Sequence, residues 1–308
     1  MMRIGSVLLP SILMLMTTAA SAETLHVKGN VWLLATPDGA NIAVQVGKDP
    51  GHDGVVLVDA GQTAGLETEL RKISREPIRF ILTTSADPDR IGGLAPIVAA
   101  TDPSLGNNLR PNEQSAIAIY STDNVLTRMS GTGTTIPSAA WPTLTFEREK
   151  NFEFNGEPIQ MLADPGAHTD GDRVVIFRGS NVVATGNVFL TTGYPVIDLA
   201  RGGSIAGELK ALNHILDLTV PHQMQEGGTM VIPGRGRICD EADVAEYRDM
   251  ITIIRDRVAD LLAKGKTLGQ ALEARPSRDY DRRYSTPAWT GDMLIEAIYK
   301  SLQQEGKR

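Results

Sequence analysis

The sequence predicts an α+β protein, an αββα sandwich in which two mixed β-sheets pack face to face with helices outside. Two observations predict it. Short β-branched runs broken by turn residues lead into helical spacing, and the same succession then restarts further along the chain. No internal repeat, low-complexity tract or linker separates the halves, so both are expected to build on one set of packed layers.

In the first half VWLLAT (31–36), NIAVQVG (41–47) and GVVLVDAG (54–61) read as strands, with PDG and DPGHDG as the turns between them. GLETELRKI (65–73) has helical spacing, and IRFILTTS (78–85) reads as a buried strand. That strand runs into a loop packing Ser85, Asp87, Asp89 and Arg90 close together before Gly92-Gly93. A helix over Leu94 to Ala100 follows. Residues 101–114 are polar and rich in turn formers and read as a surface loop.

The second half opens on AIAIYS (116–121) as a strand and NVLTRMS (124–130) as a short helix. FEFNGEPIQMLA (152–163) is a hairpin turning at Asn155-Gly156. RVVIFRG and NVVATGN are strands, SIAGELKALNHILDL (204–218) is an amphipathic helix, and TMVIPG is a strand. A long helix starts near Asp240 and stops at Gly265.

Residues 1–22 stand apart. Arg3, the apolar run VLLPSILMLM and Ala20-Ser21-Ala22 form the pattern of a secretory signal cut before Glu23, and the run is short for a bilayer span. The expected organisation is a signal peptide over 1–22 and a single domain over 23–308, with a C-terminal helical extension over about 240–308. The expected location is periplasmic or secreted, without a stable membrane anchor after cleavage. Once Arg3 leaves with the signal, 29 Lys+Arg face 37 Asp+Glu, a net charge of −8. That balance argues against nucleic acid and against a polybasic hold on lipid. Cys239 is the only cysteine, so no intramolecular disulfide forms.

Several ordered loops carry a resemblance. VLVDAG ends in Asp59, PGAHTDGD (165–172) holds His168, VVATGN ends in Asn187, and VIPGRG holds Arg235. With the 85–90 loop, YPVIDLARGGSIAG and RPSRDYDRRY, they resemble an exported bacterial branch of the metallo-β-lactamase superfamily across nearly all of the mature chain. The resemblance implies the αββα fold, a hydrolase relative, and Asp59 as support for the metal loop. It also implies a degenerate metal site. The family loop has the form His-x-His-x-Asp-His, and here it reads Ser85-Ala86-Asp87-Pro88-Asp89-Arg90. Asn187 stands for the bridging Asp and Arg235 for the last His, so only Asp89 and His168 of seven usual ligands remain.

Zinc takes imidazole, thiolate or carboxylate, and a guanidinium has no lone pair to give. Ser85, Asp87 and His168 stand where the first zinc would take three His, and Arg90 and Arg235 fill two places of the second. The pocket therefore reads as self-neutralised, with Asp89, Arg90, Asn187 and Arg235 lining a ligand pocket suited to a small, anionic molecule. The leading expectation is a non-catalytic or binding relative of a hydrolase with no cofactor. The alternative is a hydrolase-like enzyme acting on an ester, lactone, thioester or amide. It would use one zinc or another divalent cation on Asp87, Asp89 and His168, or a hard cation on Asp87, Asp89 and Asn187. Ser85, Asp87 and His168 also have the residue types of an activated nucleophile, which geometry alone can establish. His26, His52, His214 and His222 fall outside the matched loops and read as ordinary. Gly202-Gly203 and Gly227-Gly228 read as turns, and the Arg, Asp and Tyr of 274–289 as a surface charge network.

Overall fold

Alternation builds the first sheet. The computed structural model describes residues 22–49, 53–62, 65–100, 117–224 and 227–306. An antiparallel meander runs through β1 (Glu23–Lys28), β2 (Val31–Ala35), β3 (Asn41–Val46) and β4 (Val55–Val58). Helix α1 (Leu66–Ile73) then carries the chain to β5 (Ile78–Leu82), which pairs parallel with β4. Two short helices, α2 (Pro88–Ile91) and α3 (Leu94–Ala100), precede β6 (Ala118–Thr122), and α4 (Asp123–Ser130) precedes β7 (Leu144–Phe146). Both of these strands add in parallel, giving seven strands in sequence order.

The second sheet has five. β8 (Glu149–Phe154) and β9 (Glu157–Ala163) form the expected hairpin, and Asn155 and Gly156 take φ of 54° and 74°, the left-handed pair that a two-residue turn requires. β10 (Arg173–Phe177) and β11 (Val182–Ala184) continue antiparallel, α5 (Ile205–Leu218) crosses over, and β12 (Met230–Ile232) returns parallel to β11. The long helix α6 (Glu241–Ala263) starts on an Asp240–Asp243 capping box, so its first N–H groups are satisfied. α7 (Leu268–Ala274), α8 (Asp281–Tyr284) and α9 (Gly291–Glu305) complete the C-terminal extension.

Successive strand residues point to opposite faces, and the core follows that rule. Leu33 packs between the sheets with Val56, Leu82, Met161, Phe177 and Ile232, while its neighbour Leu34 packs outward with Leu57, Leu70 and Leu94. The far face of the second sheet is covered by α5, α6 and α9 through Leu212, Tyr247, Ile251 and Ile298. The two mixed sheets with helices outside are the architecture expected from the sequence. The helices at 94–100, 124–130 and 240–265 also stand where they were expected. Residues 1–21, and with them most of the expected signal, lie outside the described residues, as does the expected loop over 101–114. Among the described residues no helix is long and apolar enough to cross a membrane.

The 274–289 stretch differs from a simple surface network. Arg278 and Arg283 do pair at the surface, but Tyr284 is buried, and Asp281 accepts hydrogen bonds from Tyr194 Oη at 3.0 Å and Ser277 Oγ at 2.8 Å. The charges are thus tied into the core over which the last helices pack.

One buried group is out of keeping with its helix. Glu208, on the inner face of α5, is 0% exposed, and neither carboxyl oxygen has a hydrogen-bond partner among the described residues. Burial, and then the charge of Asp172, push its carboxyl well above the usual range, so it is held neutral. A raised acid is penalised increasingly as pH climbs past its unfolded value. Glu208→Leu is therefore expected to stabilise the protein by about 1–3 kcal/mol at pH 8 and by less at pH 5. Urea midpoints at the two pH values check this, and a larger gain at pH 5 would contradict it.

Candidate functional site

Five chain segments converge at the ends of strands β4, β5, β9, β11 and β12. Asp59 follows β4 with a φ of 68°, unusual for a residue with a Cβ. Its carboxylate accepts from Thr84 N and Thr84 Oγ1, both at 2.7 Å, which ties the loop after β5 to the end of β4. Gly186 carries a φ of 54°, and a Cβ there would lie 2.3 Å from Thr84 Oγ1, so only glycine lets the turn after β11 close on this loop. That turn delivers Asn187.

Asp87 is the hub of one half of the site. Ser85 Oγ donates to its Oδ2 at 2.6 Å, His168 Nε2 lies 2.9 Å from the same oxygen, and Asn187 Nδ2 donates to it at 3.2 Å. Its other oxygen takes Arg201 Nη1 at 2.7 Å. Asp89 is the hub of the other half. It accepts from Arg90 Nη2 at 3.0 Å, Arg235 Nη2 at 2.8 Å and Asn187 Nδ2 at 3.3 Å. Asn187 thus bridges the two carboxylates. Arg90 is 0% exposed and makes three further contacts: Nη1 to Asp59 Oδ2 at 3.3 Å and to Asn41 O at 3.1 Å, and Nη2 to Gly234 O at 2.9 Å.

Charge explains the protonation states. Burial pushes the Asp59 carboxyl up to about 6 against the opposing pull of Arg90. Burial would raise Asp87 too, but His168, Ser85 and Arg201 hold it well below the usual carboxylate range. His168 faces the carbonyl of Val196 through Nδ1 at 2.5 Å and a carboxylate through Nε2, so both ring nitrogens are best served by carrying hydrogen. Burial opposes that charge, yet Asp87 prevails and raises the imidazole to about 9. Because the unfolded imidazole titrates near 6.5, this interaction supports the fold fully below about pH 6.5 and is lost as pH rises through 9. An NMR titration of the His168 ring is expected to show a midpoint near 9, and His168→Gln should flatten the stability profile between pH 7 and pH 10. A ring that titrates near 6.5 would contradict the imidazolium assignment.

The structure brings together every residue singled out in the sequence: Ser85, Asp87, Asp89, Arg90, His168, Asn187 and Arg235, with Asp59 behind them. It does not make them a nucleophilic triad. Both imidazole nitrogens face other partners, and Ser85 Oγ donates to the carboxylate, so Asp87 stands where the base would have to stand. Arg90 also departs from expectation as a ligand-pocket residue. It is walled off, with its terminal nitrogens committed to two carboxylates and two carbonyls, whereas Arg235 keeps 31% of its side chain exposed. Arg201 was not expected at all. Its turn, Leu199–Arg201, is closed by Asp198, which accepts from Arg201 N and Nε, and the left-handed Gly202 ends it.

The family model described as the metallo-beta-lactamase superfamily matches residues 35–221, which span all of the site except the β12 end. The chain belongs to the metallo-beta-lactamase superfamily. Solved structures of the fold agree. A metallo-beta-lactamase from Pontibacter korlensis superposes with a TM-score of 0.56 at 15% identity, covering 75% of this chain and 99% of that one. DIM-1 metallo-beta-lactamase gives 0.53 at 19% identity over 76% of this chain and 98% of its own. The stereoselective inverting sec-alkylsulfatase Pisa1 from Pseudomonas sp. gives 0.63 at 14% identity and covers 91% of this chain, which spans half of the sulfatase. At these identities the likeness is one of fold. No curated protein matches the sequence.

Superfamily relatives usually bind zinc, and the donor set here does not fit it. No group of three or more His, Cys, Asp or Glu able to hold a metal occurs among the described residues. Around Asp87 the other groups are a hydroxyl, a carboxamide, an imidazolium and a guanidinium, and around Asp89 two guanidiniums and a carboxamide. Three of these are guanidiniums, cations that repel a metal ion, and the imidazolium would first have to lose its proton.

Proposed function

We propose that this metallo-beta-lactamase-fold protein is a binding relative of the superfamily's hydrolases in which arginines take the place of metal cations. The observation that supports it most is Arg90. A fully buried guanidinium bridges Asp59 and Asp89 and is held on two backbone carbonyls, so it belongs to the fold and cannot swing aside for a metal. Arg201 does for Asp87 what Arg90 and Arg235 do for Asp89. Each buried carboxylate is neutralised through charge-assisted hydrogen bonds, the service a metal would otherwise perform.

The ligand side of the site is its solvent edge, where Arg201 and Arg235 are each about a third exposed. Guanidinium edges offered there suit a small anionic molecule. The protein is expected to be exported, with mature chains beginning near Glu23 by the signal pattern.

Metal analysis of protein purified without chelator tests the reading. Far less than one zinc per chain is expected, and a chelator should leave the melting temperature unchanged. Near-stoichiometric zinc together with a chelator-induced fall in stability would overturn it.

A further inference from the structure

We propose that the outer edge of β8 is a docking surface for an extended segment of a partner protein that carries basic side chains at alternate positions. The two sheets end in four edge strands, β1, β7, β8 and β12. Three of them are closed or blunted in ways that discourage strand addition. β1 carries a bulge between His26 and Lys28, β7 is three residues long, and Cys239 closes β12 by exchanging both backbone hydrogen bonds with Val231. β8 is six residues long, pairs with β9 in unbroken register and contains no proline.

Register fixes which of its backbone groups are free. Ala163 N donates to Arg148 O at 2.8 Å, so Arg148, Lys150, Phe152 and Phe154 take the hydrogen-bonded positions against β9. Pro158, opposite Glu153, has no N–H to give and fits that phase. The N–H and C=O groups of Glu149, Asn151 and Glu153 therefore point away from β9, and none has a backbone partner among the described residues.

The side chains set the kind of partner. Glu149, Asn151 and Glu153 are exposed on one face, and neither glutamate has an ion pair among the described residues. The nearby Arg178 is engaged with Gln160, which stands opposite Asn151 on β9. Alternation puts Arg148 and Lys150 on the other face, where Lys150 Nζ lies 5.6 Å from the centre of the Tyr120 ring. A second copy of β8, added antiparallel about Asn151, would set Glu149 against Glu153 twice, and like charges directly opposite are destabilising. A strand with Lys or Arg across from Glu149 and Glu153 gains where a copy loses. Its alternate residues would meet the inner face. There Phe152 and Phe154 are only partly buried against Phe80, at 5.0 and 4.9 Å between ring centres, whereas Ile159 and Met161 on β9 are fully buried. Apolar side chains at those positions would extend the core by one strand.

Three pentapeptides with acetyl and amide ends test this on the intact protein: Lys-Val-Thr-Val-Lys, Gln-Val-Thr-Val-Gln and Glu-Val-Thr-Val-Glu. Their charges are symmetric, so either strand direction is served. NMR should show saturable shifts at the amides of Glu149, Asn151 and Glu153 in the millimolar range, with the basic peptide roughly tenfold tighter than the acidic one. Added salt should narrow that gap. The double change Glu149→Lys with Glu153→Lys should invert the order without disturbing the ladder to β9. Asn151→Pro should abolish binding of the basic peptide and keep a melting temperature near wild type, because the lost N–H faces solvent. Equal binding of the three peptides, shifts confined to another surface, an unchanged order in the charge-reversed variant, or no saturable response would overturn the proposal. None of these outcomes depends on whether zinc binds at Asp87 and Asp89.

Discussion

Arg90→Met is expected to lower the melting temperature by roughly 10 °C, the largest fall of any single change in the site, on the usual conversion for a domain of this size. The substitution keeps much of the side chain's length and removes only its charge and donors. Asp59, 1% exposed, would lose the one cation in salt-bridge contact with it among the described residues, and the carbonyls of Asn41 and Gly234 would lose a donor. Breaking a buried ion pair by deleting one partner costs about 3–5 kcal/mol, because the other charge stays buried and unpaired. Arg235→Ala is the control. Its guanidinium also pairs with Asp89 but is 31% exposed, so about 1 kcal/mol or less is expected. The pair Asp89→Asn with Arg90→Met should cost less than the two single changes summed, since the neutral amide no longer needs Arg90. Differential scanning calorimetry of the four variants decides it. Additive, sub-kcal effects throughout would show that Arg90 is not the strut its burial indicates.

The sheets were legible because burial on two faces leaves a local trace. Leu33 and Leu34 are neighbours in sequence and belong to different layers, and the strand-and-turn rhythm around them needs no distant information. The site was legible as a set of residues and not as a set of contacts. Serine, aspartate and histidine at positions that the family resemblance gives to metal ligands suggested a nucleophile, and only the folded arrangement shows both imidazole nitrogens facing elsewhere. Arg90 looked like a pocket residue because the carbonyls that enclose it come from β3 and from the turn after β12, far along the chain. Arg201 was missed for the same reason: its bond to Asp87 is long-range. The local signal was present, however, in Asp198 three residues before it and in the glycine that ends its turn. Glu208 could also have been found. It recurs with Ile205, Leu209 and Leu212 at the spacing of an apolar helix face, where a carboxylate is out of place.

A zinc site should form only when the arginines leave together. In Ser85→His alone the new imidazole would join Asp87 and a protonated His168, with Arg201 still on Asp87 and Arg90 and Arg235 still on Asp89. No measurable zinc gain is expected. The combined change Ser85→His, Asp87→His, Arg90→His, Asn187→Asp and Arg235→His removes two guanidiniums and supplies the donors of the superfamily pattern. It also releases Arg201, because Asp87→His takes away the carboxylate that Arg201 holds, and its remaining bond to Asp198 leaves it at the solvent edge. His168 then loses the partner that keeps it protonated and becomes free to ligate. Near-stoichiometric zinc is expected, with added stability of about 4 kcal/mol when free zinc exceeds its dissociation constant a thousandfold. Atomic absorption and chelator-dependent melting measure both. Tight zinc binding by Ser85→His alone would mean that the arginines do not occupy the metal positions. A five-fold variant that folds but binds no zinc would mean that Arg201 still blocks the first site, and adding Arg201→Ala to it separates that cause from a misplaced scaffold.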